Sequence, residues 1–101
     1  MTRDDILALD GPALGEALAK IDGVFPLQEN VREWLPWTND ADAMPLLRLL
    51  IEKHFIVEFW PYSLFAHKLG KKETEIRIRY DKNINIALCR LVLLCLGATH
   101  V

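Results

Sequence analysis

Cysteine is scarce in this chain of 101 residues: only Cys89 and Cys95 are present. They lie six apart in one helix-patterned segment, so their Cα atoms stand about 9 Å apart, too far for a disulfide within a regular helix. Both read as small buried hydrophobes in a reducing compartment. Histidine is also sparse. His54, His67 and His100 have no neighbouring Cys, His or acid at metal-ligand spacing, and a zinc site needs several convergent ligands. There is no glycine-rich phosphate loop and no G-x-S-x-G elbow, which removes the usual sequence grounds for nucleotide or acyl-transfer chemistry. The start, MTRDDILALD, is acidic and lacks the apolar run of a signal peptide. The run from Ile84 to Ala98 is too short to span a bilayer and carries Arg90. The expectation is a soluble intracellular protein with no cofactor, no metal, no membrane partner and no enzymatic activity.

What is present is a normal globular composition, with 51% hydrophobic and 26% charged residues. That and the length predict a single domain over 1–101. The formal net charge is −2, but its distribution is uneven. Residues 1–50 hold nine acids and four bases; residues 51–101 hold five acids and eight bases. The halves therefore carry −5 and +3, an asymmetry that can orient a partner.

Thr2 is placed to cap a short helix, with Asp4 and Asp5 in its first turn. After Gly11, Pro12 suits the first turn of a second helix. Leu14, Ala17, Leu18 and Ile21 give that helix an apolar face, and Asp22-Gly23 is its expected end. Residues 24–38 read as a loop with many large apolar groups, among them Val24, Phe25, Leu27, Val31, Trp34, Leu35 and Trp37. A third helix is expected from the Thr38–Asp42 region to about His54. Pro45 favours a cap at Asp42, because proline fits early helical positions and strains later ones.

The apolar period then falls to two. FIVEFW at 55–60 and YSLFAHKL at 62–69 read as strands joined at Pro61. Gly70-Lys71-Lys72 reads as a turn, and ETEIRIRY at 73–80 as the third strand, with Ile76, Ile78 and Tyr80 opposite Glu75, Arg77 and Arg79. A final apolar helix follows a cap at Asn83 or Asn85. The predicted class is α+β: a three-stranded antiparallel meander packed with N-terminal helices and a C-terminal apolar helix.

Two segments carry a resemblance. Ile86-Ala87-Leu88-Cys89-Arg90, within IALCRLVLLCLG, and more loosely Trp37-Thr38-Asn39-Asp40 resemble the small phage and prophage proteins of the phage ABA sandwich domain family. The order of elements is similar along nearly the whole chain. Pro45 departs from the pattern, standing where that family has helix-forming alanines. The resemblance implies helices packed against a small antiparallel sheet. It implies no defined activity.

Three groups of residues are candidates for function. The aromatic set Phe25, Trp34, Trp37, Trp60 and Tyr62 either completes the core or forms a protein-binding patch, with Trp34, Trp37, Trp60 and Tyr62 as its contacts. The basic set Lys68, Lys71, Lys72, Arg77 and Arg79, with Tyr62 and Tyr80 nearby, either lies along nucleic acid or is a solvated sheet face, its field weakened by Glu73 and Glu75. Arg90 either reaches the rim or pairs with a carboxylate, with Glu58 as a candidate, or serves as an anchor at a binding edge. Asp40 and Asp42 read as helix caps rather than cation ligands, and Cys89 as too buried to be a nucleophile. The leading expectation, which follows from the resemblance, is a phage-type accessory protein of the bacterial host cytoplasm that binds a host or phage protein; its concrete version is an inhibitor of a host defence or regulatory machine. Association with nucleic acid through the hairpin 68–79 and a homo-oligomeric structural role are the alternatives.

Overall fold

The computed structural model describes residues 2–21, 35–80 and 83–96. Four helices and three strands follow in the order α1 (Arg3–Leu7), α2 (Pro12–Ala19), α3 (Asp40–Glu52), β1 (Phe55–Trp60), β2 (Ser63–Lys68), β3 (Lys71–Arg79) and α4 (Ile84–Leu96). The strands form one antiparallel sheet in the order β1-β2-β3. This is the α+β architecture expected from the change of period.

Each helix start has a local cause. At α1 the Thr2 hydroxyl accepts from the Asp5 N–H at 3.2 Å, and the Asp5 carboxylate accepts from the Thr2 N–H at 3.0 Å, closing a capping box. Hydrogen bonding from Thr2, chiefly from its backbone N–H, holds the Asp5 carboxyl below its ordinary pKa. Pro12 opens α2. That helix stops at Ala19, with Lys20 as its cap residue, before the expected end at Asp22-Gly23, which lies outside the described residues. At α4 the Asn83 side chain accepts from the Ile86 N–H at 3.1 Å.

The start of α3 corrects the sequence reading. Asn39, not Asp42, is the cap: its Oδ1 accepts from the Ala41 N–H at 2.8 Å. Asp42 instead turns inward, 2% exposed, and its Oδ2 accepts from the Leu35 N–H at 2.8 Å. Pro45 therefore lies inside the helix. It cannot donate to the Ala41 carbonyl, but Ala41 and Pro45 are both exposed, so water can satisfy that oxygen. The helix ends at Glu52. His54, at φ 70°, reverses the chain in the left-handed region.

α4 is the hub. Ala87, Leu88, Cys89 and Leu91 to Leu94 are all buried, as expected of a helix apolar on most sides and packed on most sides. It touches α1, α2, α3, β2 and β3. From the sheet it meets the face that carries Leu64, Ala66 and Ile78, while α3 covers β1. Strand alternation puts Ile56, Glu58, Trp60, Phe65, Arg77 and Arg79 on the opposite face. Two turn boundaries differ from expectation. Tyr62 belongs to the β1–β2 turn, and Lys71 and Lys72 belong to β3, leaving Leu69-Gly70 as the second turn.

Candidate functional site

The two hairpin turns solve one geometric problem with different residues. Both need a residue in the left-handed region. The β2–β3 turn uses Gly70, at φ 79°, which bears no Cβ penalty. The β1–β2 turn uses Tyr62, at φ 66°, directly after Pro61. Proline presets the first turn position, and a left-handed second position is the pattern of a type II turn, for which glycine or asparagine is the economical choice. A tyrosine there costs about 1–2 kcal/mol of backbone energy.

The surroundings hold that strained turn in place. Tyr80, just beyond β3, donates its backbone N–H to the Tyr62 carbonyl at 3.0 Å and its hydroxyl to the Trp60 carbonyl at 3.0 Å. The turn presents Phe59, Trp60 and Tyr62 to solvent with 50%, 55% and 68% of their surfaces exposed. Phe59 continues the inward alternation of Phe55 and Val57 but, unlike them, is half exposed at the turn end of the strand. Trp60 lies on the outer face, where its ring meets Phe65 edge-on at 6.3 Å and its Nε1–H donates to Glu58 Oε1 at 3.3 Å.

The basic residues are divided by the sheet. Arg77 stacks its guanidinium over Phe65 at 4.9 Å on the outer face. Lys68 lies over Phe55, on the helix-covered side, at 5.6 Å. Glu58 and Glu75 share the outer face with Arg77 and Arg79, so the face has no net positive charge from these groups. Lys71 and Lys72 stand at the far end of β3, away from the aromatic turn. There the Thr74 hydroxyl donates to the Lys71 carbonyl at 2.7 Å and accepts from the Lys68 N–H at 2.9 Å, filling the irregularity between Ala66 and Lys68.

The other candidates fall elsewhere. Trp37 is half-buried and packs on α2: a Cβ added at Gly15 would sit 2.6 Å from its ring. Asn83 donates to the Trp37 carbonyl at 3.1 Å, tying that segment to the start of α4. Trp34 and Phe25 lie outside the described residues, as does His100. Arg90 does not reach Glu58, which lies on the far face of the sheet. It donates from Nε and Nη2 to the Leu9 carbonyl at 3.3 and 2.8 Å, joining the α1–α2 connection to α4. Asp40 accepts from the Asn85 side chain at 2.8 Å. Burial pushes the Cys89 and Cys95 thiols up to about 12, so neither is a nucleophile near neutral pH.

Sequence reasoning missed Phe59 as a surface aromatic, Phe65 as the half-buried ring under Trp60 and Arg77, and Gly15 as the seat of Trp37. Phe59 had a usable signal: it is the penultimate strand residue before Pro61, where the helices need not follow. Gly15 had none, since the glycine and the tryptophan it accommodates are far apart in sequence.

Among the described residues there is no cluster of three or more His, Cys, Asp or Glu able to hold a metal ion, and no helix is long and apolar enough to cross a membrane. No family model, curated protein or solved structure matches the chain.

Proposed function

We propose that this chain is a small phage-type accessory protein that acts by binding another protein through the Phe59-Trp60-Tyr62 turn. The observation that carries the reading is Tyr62: a large aromatic held at positive φ, pinned by Tyr80 and left mostly in solvent. Strain and exposure together gain the isolated fold nothing, and such outliers are characteristic of binding segments. Aromatic anchors with few accessible rotamers bind at low entropic cost, and Trp and Tyr dominate interface hot spots. The occupant is a protein of the bacterial cytoplasm, such as a host defence or regulatory component whose working surface the aromatic turn would cover.

The mixed charge of the outer face favours a protein over nucleic acid. Phosphate binding rests on an uninterrupted basic track, whereas here Glu58 and Glu75 accompany Arg77 and Arg79, and Lys68 is on the other face. The test is affinity capture from nuclease-treated bacterial cytoplasm with the wild type, Trp60→Ala and Tyr62→Gly. A stoichiometric protein that the wild type retains and both variants lose is the expected result. Retention by all three proteins sinks the aromatic-turn reading; capture abolished by nuclease transfers the case to nucleic acid.

A further inference from the structure

The two edges of the sheet are built differently. β3 ends the sheet with a strongly charged strand, Lys71–Arg79, and Arg3 of α1 donates to the Arg77 carbonyl at 3.0 Å. Charge and a side chain occupying a free carbonyl are standard protections against further strand pairing. β1 has neither protection along most of its length. Its sequence is FIVEFW, with high strand propensity, a single charge and no internal proline. Ile56, Phe59 and Trp60 are exposed.

The backbone of β1 fixes which groups face outward. The Leu69 N–H donates to the His54 carbonyl at 2.8 Å, and this bond sets the phase of the β1–β2 ladder. Alternation then directs the N–H and C=O groups of Ile56, Glu58 and Trp60 toward β2, and those of Phe55, Val57 and Phe59 away from it. Val57 and Phe59 have no backbone hydrogen-bond partner beyond the sheet among the described residues.

We infer that β1 pairs antiparallel with β1 of a second copy, about a two-fold axis at Val57, to make a continuous sheet across two chains. This register is selected by two physical criteria. It sets Val57 opposite Val57 and Phe55 opposite Phe59, so every outward N–H of the strand meets an outward carbonyl. It also sets Ile56 opposite Glu58 on the outer face, avoiding a like-charge pair. Two neighbouring two-fold registers are less favourable. That centred on Glu58 puts Glu58 against Glu58 and sets Phe55 opposite Pro61, which has no N–H to give. That centred on Ile56 sets Phe59 opposite Lys53, outside the strand, where His54 at φ 70° breaks the extended backbone. A two-fold arrangement also closes on itself, so it ends at a dimer rather than a fibre. The two Trp60 residues then stand about 20 Å apart at opposite ends of the paired strands, and each Tyr62 turn remains free. The inference goes beyond the aromatic turn and does not depend on it.

The register makes a charge-specific test available. Sedimentation equilibrium of the full chain across a wide concentration range is expected to show a monomer–dimer equilibrium. Ile56→Glu faces Glu58 in both symmetric pairs and is expected to raise the dimer dissociation constant about tenfold relative to Ile56→Lys, which faces the same carboxylate with opposite charge. Ile56 is 38% exposed, so both variants are expected to fold, and circular-dichroism melts of each monomer check this. The Val57 amide is expected to gain hydrogen-exchange protection as concentration rises. A chain that stays monomeric at every concentration overturns the inference. So does equal weakening by Glu and Lys at position 56, the result expected where Ile56 faces Trp60 or a second Ile56 rather than Glu58. Loss of captured partner without loss of dimer, or the reverse, separates this inference from the reading of the aromatic turn.

Discussion

Trp37 and Trp60 have the same side chain and opposite surroundings in this molecule. Trp37 lies against the backbone of Gly15, and its own carbonyl is tied to Asn83 at the start of α4. Trp60 is more than half exposed and is steadied from outside by Phe65, Glu58 and the Tyr80 hydroxyl. The difference lies in what the fold places opposite each ring. A glycine on a facing helix leaves room for an indole to enter the interior. A strand end next to a tight turn leaves an indole with solvent on one side.

The largest effect that can break this comparison is expected at Trp37. Trp37→Ala should lower unfolding free energy by about 3 kcal/mol, through lost packing and a cavity beside α2; denaturant titration checks it. Gly15→Ala should destabilise by about 1 kcal/mol net. Overpacking against the ring costs about 2 kcal/mol, offset by about 1 kcal/mol of helix propensity gained by alanine. In the double variant the smaller residue at 37 removes the clash, so the two losses should add to less than their sum. Strict additivity there would mean that Gly15 and Trp37 are energetically independent.

At the turn the signs reverse. Tyr62→Gly should stabilise the fold by about 0.5 kcal/mol, because relief of the left-handed strain exceeds the entropic cost of glycine, while captured partner is lost. A destabilised Tyr62→Gly would mean that the tyrosine ring supports the fold and is not held ready for a partner. The smallest stability change is expected at Trp60→Ala, within about 0.5 kcal/mol of wild type by thermal melt. The Trp60 carbonyl still accepts from Tyr80 in that variant, so its binding defect can be read on an intact turn.

Much of the fold was legible before the structure. The change of apolar period at Phe55 marks the passage from helix to strand, because side chains one face apart recur every 3.6 residues in one and every two in the other. Ile84–Leu96 is apolar on nearly every side, and only a position packed on several sides accommodates that. Thr2 and Asn83 act as caps through short-range bonds between neighbours in sequence. The errors also have a common form. Asp42 could cap α3 locally, yet it is drawn inward by the Leu35 N–H, and Asn39 takes its place. Arg90 needed a partner, and the sequence offered carboxylates; the partner is the carbonyl of Leu9. The basic residues of 68–79 look like one surface along the chain, but the pleat and the irregularity at Ala66–Lys68 separate Lys68 from Arg77 and Arg79.

The elements, their order and the identity of the central helix follow from periodicity, caps and turn residues acting over a few positions along the chain. Contacts between distant segments set which tryptophan packs on the core, which residue caps α3, what Arg90 bonds and which sheet edge is protected. Those outcomes depend on groups brought together from distant parts of the chain. A side chain's burial and bonding are set by the space and the donors or acceptors that other elements place against it.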